Sequence, residues 1–240
     1  LLMAATLGLS LAACGSTATS SSSAAASETS SAEATGTVYK IGICQLVQHD
    51  ALDAATQGFK DALVEKLGEG NVEFDEQNAS GDTANCATII NGFVSTDVDL
   101  ILANATAPLQ SATQATADIP ILGTSVTDYA TALDISDWTG TVGGNVSGTS
   151  DLAPLDQQAA MIQELFPDAK NIGLLYCSAE ANSVYQCDVI EGYLTDAGYT
   201  VTRYAFTDTN DVTSVTQTAA DASDVIYIPT DNTAASNTEA

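Results

Sequence analysis

The sequence predicts an α/β protein with two doubly wound parallel-sheet lobes, and three observations carry this prediction. Short apolar runs typical of buried strands alternate with segments of helical apolar period. Strict alternation of strands and helices along the chain indicates right-handed crossovers and parallel sheets with helices on both faces. The number of strands indicates two lobes, and a Gly-rich stretch at residues 139–148 is the best candidate for the crossover between them.

The first unit shows both patterns. Residues 38–47 are almost continuously apolar, as a strand buried on both faces is. Residues 51–67 place apolar side chains at helical spacing, with Asp53, Lys60 and Glu65 between them, which predicts one apolar helix face. The same reading predicts further strands at 71–77, 98–103, 119–123, 145–149, 171–176, 199–206 and 224–228, and further helices at 82–94, 107–116, 155–166, 182–197 and 211–221, with another that begins near Asp231.

Four regions are expected along the chain. Residues 1–13 read as the apolar remainder of a signal peptide. Residues 14–37 are mostly Ser, Ala, Thr and Gly and predict a flexible tether, because they bury too little apolar surface to offset the entropy of ordering. Residues 38–148 form the first lobe, and residues 149–240 form an incomplete second lobe. We therefore expect the chain to be C-terminally truncated.

The leader ends in a sequence that resembles the lipobox of bacterial lipoproteins. Leu11-Ala12-Ala13-Cys14-Gly15 places small residues before a Cys, which in lipoproteins becomes the lipidated first residue after cleavage. An ordinary signal peptide with an incidental Cys is the alternative. The apolar run is too short to span a bilayer, which takes about 20 residues. A lipidated Cys14, a tether and a globular part predict an extracytoplasmic protein anchored to the cell membrane.

Composition excludes several classes of partner. The chain has 240 residues, with 31 acidic side chains against five basic ones and a formal net charge of −26. Nucleic-acid binding and a basic membrane-surface patch both need clustered Lys and Arg, which the chain lacks. His49 is the one histidine, so a His-rich metal site is not supported. The sequence predicts no metal, no other cofactor and no nucleic-acid partner.

Enzyme motifs are also missing. No G-x-G-x-x-G follows a strand, and neither a P-loop nor H-E-x-x-H occurs. Residues 144–148 resemble a nucleophile elbow only loosely, because Ser147 lies one position too late. Two carboxylates near one another are the expected background in so acidic a chain. The sequence therefore predicts a protein without catalytic residues.

The cysteines leave their pairing open. Cys86 and Cys187 share predicted helix faces with apolar residues and read as small buried hydrophobes. In an exported protein, Cys44 could reach Cys86 and Cys177 could reach Cys187 as disulfides. Sequence alone does not decide between these states.

Polar clusters recur where apolar strands end and helices begin. In open parallel sheets the ligand crevice lies beyond these strand ends, where helix N-termini offer N–H groups to an anion. Helix capping is the alternative for any single residue. None of the five Lys and Arg residues stands at a strand's carboxyl end, so hydroxyls and backbone N–H groups would hold an anionic group, which suits a zwitterion. The clusters are residues 103–106, 123–128, 177–183 and 229–233.

Six segments, taken in order, carry a family resemblance. They are Ile-Gly-Ile-Cys-Gln-Leu-Val-Gln-His at 41–49, and residues 51–55, 77–82, 144–148 with 150–151, 180–183 and 229–232. The chain from 38 to 240 resembles the ABC-transporter substrate-binding lipoproteins of the tryptophan/tyrosine-binding branch, which have the type I periplasmic-binding-protein fold. The resemblance implies two lobes joined by a hinge that close over one small ligand.

The same resemblance implies a set of ligand-binding residues. Asp231 or Glu180 would hold the ligand ammonium, and the loop with Gln48 and His49 would touch its side chain or be a plain loop. Many relatives have Pro where this chain has Asp50. Thr106, Ser125, Thr127 and Ser183 would hold the carboxylate. The implied walls are Asn104, Thr106, Ser125, Thr127 and Asp128 in the first lobe, and Glu180, Asn182, Ser183, Asp231 and Asn232 in the second.

The predicted function is capture of a small zwitterion and its delivery to an ABC permease and its ATPase. By family analogy the ligand is an aromatic amino acid such as tryptophan or tyrosine. A sensor lipoprotein that presents a small molecule to a signalling receptor is the alternative. Four aromatic residues lie near candidate loops, where they would stack on a ligand ring or simply pack: Tyr129, Trp138, Tyr176 and Tyr185.

Overall fold

A computed structural model describes residues 36–239 as two parallel sheets covered by helices. The predicted leader at residues 1–13, Cys14 and the tether as far as residue 35 lie outside the described residues. No helix within the described part has the length and apolarity needed to cross a membrane.

The first lobe is a five-stranded parallel sheet with its helices. Its strands are β1 (Tyr39–Gln45), β2 (Val72–Asn78), β3 (Leu100–Asn104), β4 (Ile121–Val126) and β5 (Val146–Ser150). Its helices are α1 (Asp50–Leu67), α2 (Thr83–Ser95), α3 (Thr106–Ala115) and the short α4 (Tyr129–Ala132), with a 3-10 turn at Glu69–Asn71. The strand order is β2-β1-β3-β4-β5.

The second lobe is a three-stranded parallel sheet with its helices. Its strands are β6 (Asn171–Cys177), β7 (Thr200–Phe206) and β8 (Val225–Tyr227). Its helices are α5 (Leu155–Leu165), α6 (Ala181–Asp196), α7 (Val212–Ala222) and α8 (Asn232–Ala235). The strand order is β7-β6-β8.

Each sheet has an apolar core on both faces. In the first lobe, α2 and α3 pack on one face, whereas Phe59 and Leu63 of α1 cover the other. Phe93 of α2 is fully buried and lies against Gly42 of β1, where a Cβ would collide with the ring. Burial on both faces explains why these strands read as continuous apolar runs in the sequence.

Helix ends follow local chemistry. The buried face of α2 is apolar, and the Asp82 side chain accepts a hydrogen bond from the Ala84 N–H at 2.7 Å. An N-cap of this kind contributes about 1 kcal/mol. Asp128 and Asp231 cap α4 and α8 in the same way, so three carboxylates are committed to helix N-termini.

The predicted α/β class and parallel sheets are confirmed. Every predicted element is present with ends shifted by three residues or fewer, whereas α4 and the 3-10 turn were not predicted. The predicted lobe boundary between residues 148 and 149 falls inside β5, because this strand pairs with β4 as far as Ser150. The second sheet begins after α5.

All four cysteines within residues 36–239 are buried free thiols. The Cys44 thiol donates a hydrogen bond to the Cys86 sulfur, which raises the pKa of Cys44 and lowers the pKa of Cys86. Cys177 Sγ donates to the Thr207 carbonyl at 3.5 Å, and Cys187 lies in the core of the second lobe. Neither disulfide that the sequence allows is therefore formed in this structure.

Candidate functional site

A cavity of about 370 Å³ lies between the carboxyl ends of the two sheets. This volume falls in the lower part of the range of roughly 300–1,000 Å³ that small-molecule sites occupy. Loops after three strands of each lobe line it. They contribute Leu46 and Val47, residues 80–83, Thr106, Ala107 and Gln110 from the first lobe, and Cys177, residues 179–182, residues 207–209, Asn232, Thr233 and Ser236 from the second.

Sheet topology explains why these loops line the cavity. From β1 the chain first moves to β2 on one side and then returns to β3 on the other, so the loops after β1 and β3 diverge. In the second lobe, β6 likewise stands between β7 and β8. Ligand crevices in open parallel sheets form at such switch points. The loop after β4 lies farther from the switch point and takes no part in the lining.

The charged side chains that line the cavity are all acidic. They are Asp82, Glu180 and Asp208, with no Lys or Arg beside them. Arg203 instead pairs with Asp188 and Glu191 on α6, and Lys60 pairs with Glu76 at 2.6 Å. An anionic ligand group must therefore be held by neutral donors, while a cationic group is favoured.

The N-terminus of α3 supplies such donors. Its N-cap, Ala105, has no capping side chain, and the first turn contains no acid. The backbone N–H groups of Thr106 and Ala107 have no partner among the described residues, and Pro108 has no N–H. Thr106 is 4% exposed and lines the cavity, and its hydroxyl has no partner within residues 36–239. Unpaired N–H groups at a helix start form a ready anion site.

The backbone of Ala105, the residue just before α3, is strained. Ala105 is fully buried with φ of 103° and ψ of 169°, a region that is almost restricted to glycine. Such a residue costs about 1–3 kcal/mol, which the surrounding structure must offset. The strain lets the chain pass directly from β3 into α3, so that the helix begins at the cavity wall.

The other helix starts at the cavity carry carboxylates. Asp82 caps α2, Asp231 caps α8, and Glu180 stands at the N-cap position of α6. The carboxylates at these positions would repel an anionic group of the ligand. Of the helices that reach the cavity, α3 therefore offers the best place for an anionic group.

Glu180 presents a fixed carboxylate on the opposite lobe. Its Oε1 accepts from the Thr233 N–H and hydroxyl, each at 2.8 Å. Its Oε2 accepts from the Asn232 N–H at 3.0 Å, from Asn232 Nδ2 at 2.7 Å and from Asn182 Nδ2 at 3.3 Å. No cation pairs with this carboxylate within the described residues. Its charge is oriented but not neutralised.

Asp231 lies behind Glu180, away from this cavity. It is 4% exposed and accepts from the Cys177 N–H at 2.6 Å and from the Ala234 N–H at 2.8 Å. Burial, and then the charge of Glu180, raise the pKa of Asp231 to about 6. Asp231 lines a second, more apolar cavity of about 470 Å³, together with His49 and Asn232.

Comparison with known proteins assigns the chain to a family. The profile of the ABC transporter substrate binding protein family matches residues 40–240. The chain belongs to this family. It is 40% identical over 194 residues to a tyrosine-binding protein of Clostridioides difficile, a match that covers 80% of this chain and 56% of the relative. The chain thus spans little more than half of that relative.

Two solved structures of relatives differ in how well they match this substrate-binding protein. An ABC domain in complex with L-Trp from Streptococcus pneumoniae superposes with a TM-score of 0.80 at 35% identity, over 85% of this chain and 69% of that one. The ligand-free, open structure of a substrate-binding protein from Clostridium difficile superposes with a TM-score of only 0.57 at 39% identity, over 83% and 68%. At similar coverage and identity, this chain thus superposes better on the complex with L-Trp than on the ligand-free, open structure.

Of the ten ligand-binding residues implied by the resemblance, four line the cavity of this substrate-binding protein. They are Thr106, Glu180, Asn182 and Asn232. The roles of all ten stay predictions.

The remaining first-lobe residues serve contacts within their own lobe. Asn104 Nδ2 donates to the Leu52 carbonyl and to Thr56 Oγ1, at 2.8 and 2.9 Å. Ser125 has a left-handed backbone, with φ of 55°, where the pairing of β4 with β5 shifts register. The Thr127 carbonyl accepts a hydrogen bond from Ser150 Oγ at 2.8 Å, and Asp128 caps α4.

In the second lobe, Ser183 lies beneath the cavity. It is fully buried, and its Oγ accepts a hydrogen bond from Asn182 Nδ2 at 3.3 Å. Ser183 and Asp231 therefore support the loop that carries Glu180 and do not reach the cavity wall.

None of the four candidate aromatic residues lines the cavity. Tyr129 lies over Gly123 and Gly148, where any Cβ would collide with its hydroxyl, and donates to the Thr149 carbonyl at 3.1 Å. Tyr176 is buried in the second-lobe core, and Trp138 is 41% exposed. Tyr129 thus ties β4 to β5 through packing.

Sequence reasoning missed two loops that line the cavity. Residues 80–83 follow β2 and residues 207–209 follow β7. Both contain the polar residues that marked the other clusters, so the signal was present in the sequence. What identifies them is strand order, which places β2 beside β1 and β7 beside β6.

Proposed function

We propose that this protein captures an aromatic amino acid in the cavity between its lobes and delivers it to an ABC permease and its ATPase. Family membership supports the transport role, and the relatives described as tyrosine-binding and as a complex with L-Trp support the ligand class. One observation carries the proposal. The uncapped N-terminus of α3 and the unneutralised carboxylate of Glu180 meet at one cavity from opposite lobes.

The ligand carboxylate binds at the start of α3. The N–H groups of Thr106 and Ala107 and the Thr106 hydroxyl supply three donors without bringing a positive side chain into the site. Each hydrogen bond to a charged group contributes about 1.5–3 kcal/mol. The helix dipole adds to this attraction.

The ligand ammonium binds at Glu180. Between the two acids that the resemblance implies, Glu180 lines this cavity and Asp231 does not. The 3.3 Å contact from Asn182 Nδ2 is the longest of the five hydrogen bonds to Glu180, and an ammonium would displace it most easily. The ligand ammonium thereby pairs with the Glu180 carboxylate, which no cation within the described residues neutralises.

The ligand side chain packs among small and aliphatic groups. Leu46, Val47, Ala107, Ala179 and Ala181 give the cavity its apolar surface. Burying an aromatic side chain against them contributes about 1.5–3 kcal/mol without any ring stacking. The cavity lining can therefore bind an aromatic ring through buried apolar surface, without a stacking partner.

The predicted lipid on Cys14 keeps the protein at the outer face of the cytoplasmic membrane. The lipobox-like run before Cys14 and the Ser/Ala/Thr tether after it support this location. A Cys14→Ser variant should appear in the soluble extracytoplasmic fraction, whereas the unchanged protein should sediment with membranes. Equal distribution of the two would contradict the anchor.

A thermal-shift screen against all common amino acids tests the ligand class. A ligand at 100 times its Kd should stabilise the folded state by about 2.7 kcal/mol. We expect stabilisation by L-tyrosine or L-tryptophan and none by tyramine or tryptamine, which lack the carboxylate, or by indole-3-propionate, which lacks the ammonium. Stabilisation by a sugar with no response to aromatic amino acids would overturn the proposal.

A matched pair of variants tests the carboxylate site. Thr106→Val removes the hydroxyl that reaches the cavity, so we expect affinity for the amino acid to fall about 10- to 100-fold, from the loss of one charge-assisted hydrogen bond. Thr113→Val is the control, because its hydroxyl bonds only to the α3 backbone and does not line the cavity. Calorimetric titration measures both. Equal affinities would place the carboxylate elsewhere.

A further inference from the structure

Within residues 36–239, a single side-chain hydrogen bond joins the two lobes outside their connecting segment. His49 Nε2, at the start of α1, lies 3.3 Å from Asn232 Oδ1, at the start of α8. No ion pair within the described residues crosses between the lobes. The two residues are 183 positions apart in the chain, so their contact depends on the arrangement of the lobes.

The direction of this hydrogen bond is set by Glu180. A carboxylate only accepts, so Asn232 must turn its Nδ2 toward Glu180 Oε2, at 2.7 Å. The Oδ1 of the same amide then faces His49 and can only accept. His49 Nε2 must therefore carry the hydrogen, which both the Nε2–H tautomer and the imidazolium provide.

The backbone holds the His49 ring at the lobe surface. The His49 carbonyl accepts the Asp53 N–H at 3.0 Å and so begins α1, and its own side chain makes no capping bond. His49 does not line the cavity where the ligand is proposed to bind. Its ring contacts the second cavity, whose wall includes Asn232.

We propose that His49 is a latch between the lobes, which stabilises the lobe arrangement of this structure through Asn232 without touching the ligand. This rests on the proposed function, because Glu180 is both the ammonium site and the group that orients Asn232. Consecutive hydrogen bonds join the proposed ligand ammonium to Glu180, Glu180 to Asn232, and Asn232 to His49. The latch acts after capture, so it slows release and leaves association nearly unchanged.

Dissociation kinetics with L-tyrosine and L-tryptophan test the latch. A net hydrogen bond corresponds to roughly a 2- to 10-fold change in an equilibrium or rate ratio. His49→Leu should raise the dissociation rate by that factor, with the association rate within about twofold of the unchanged protein. His49→Gln, whose amide N–H can still donate to Asn232, should restore slow release. A His49→Leu protein with unchanged dissociation would overturn the latch.

The single histidine of the chain allows a direct spectroscopic test. Nitrogen-15 NMR of the His49 ring, recorded with L-tyrosine or L-tryptophan added, should show a hydrogen-bonded Nε2–H in the unchanged protein and a shifted Nε2 resonance in Asn232→Ala, where this bond is lost. Identical ring spectra in these two proteins would overturn the latch, whether or not either amino acid binds. A ring that differs between them, while neither amino acid shifts the backbone amide spectrum, would support the contact and count against the proposed function alone.

Discussion

The buried carboxyl of Asp231 should make folding stability fall as the pH rises through the mildly acidic range. Its pKa is raised from 3.8 to about 6 in the folded protein, first by burial and then by Glu180. Between these two values the folded state holds a proton that the unfolded state has lost. The stabilisation is therefore fully present below about pH 4 and is lost as the pH rises through about 6.

The magnitude follows from the size of that shift. One pKa unit corresponds to 1.36 kcal/mol, so the rise from 3.8 to about 6 corresponds to about 3 kcal/mol. Asp231→Asn removes the titration. It also leaves the Cys177 or Ala234 N–H without a carboxylate acceptor, but that cost does not depend on pH. The difference in unfolding free energy between the two proteins should thus change by about 3 kcal/mol across this pH range.

Urea denaturation at intervals from pH 4 to pH 8 measures this difference. The exposed Asp221→Asn variant controls for the loss of one carboxylate from a chain of net charge −26. Stability of the unchanged protein relative to Asp231→Asn should decline as the pH rises and level off above pH 7. A difference that stays constant, or that grows with pH, would refute the reasoning from burial.

Two further predictions concern packing and thiol access. Gly123→Ala should destabilise the protein by about 1–3 kcal/mol in urea unfolding, because its Cβ would collide with the Tyr129 hydroxyl. Adding Tyr129→Phe should recover part of that loss, and an unaltered Gly123→Ala protein would contradict the packing. Cys44, Cys86 and Cys187 should resist a thiol reagent in the native Cys14→Ser protein, since all three are buried away from the cavity, and should react together once urea unfolds it. Fast native labelling would show that the core opens locally.

Most of the fold was predictable because its signals are local. The strands are buried on both faces and read as apolar runs, and the helices show one apolar face each. Of the two elements that sequence reading missed, α4 is only four residues long, and its Asp128 cap looked like a ligand-binding group. A helix this short has no apolar period to detect.

The site was only partly predictable because it depends on strand order. Four strands that end in polar clusters looked like contributors to the crevice, whereas β2 and β7, which end in similar residues, did not. The β4 loop with Ser125 and Thr127 lies off the switch point, while the loop at 80–83 lies on it. Capping carboxylates and ligand-binding carboxylates also have the same local sequence, and only the three-dimensional structure shows that Glu180 lines the cavity and Asp231 does not.

Many residues of the cavity wall lie outside the apolar clusters, which has a consequence for how such a protein diversifies. The wall consists of short loops and helix starts, and it shares Leu46 and Cys177 with the buried clusters that hold the sheets together. Exchanging a residue such as Ser80, Ala179 or Thr209 changes the shape offered to a ligand and leaves the apolar clusters intact. Single substitutions in these loops can therefore change which ligand the cavity accepts, at little cost in folding stability.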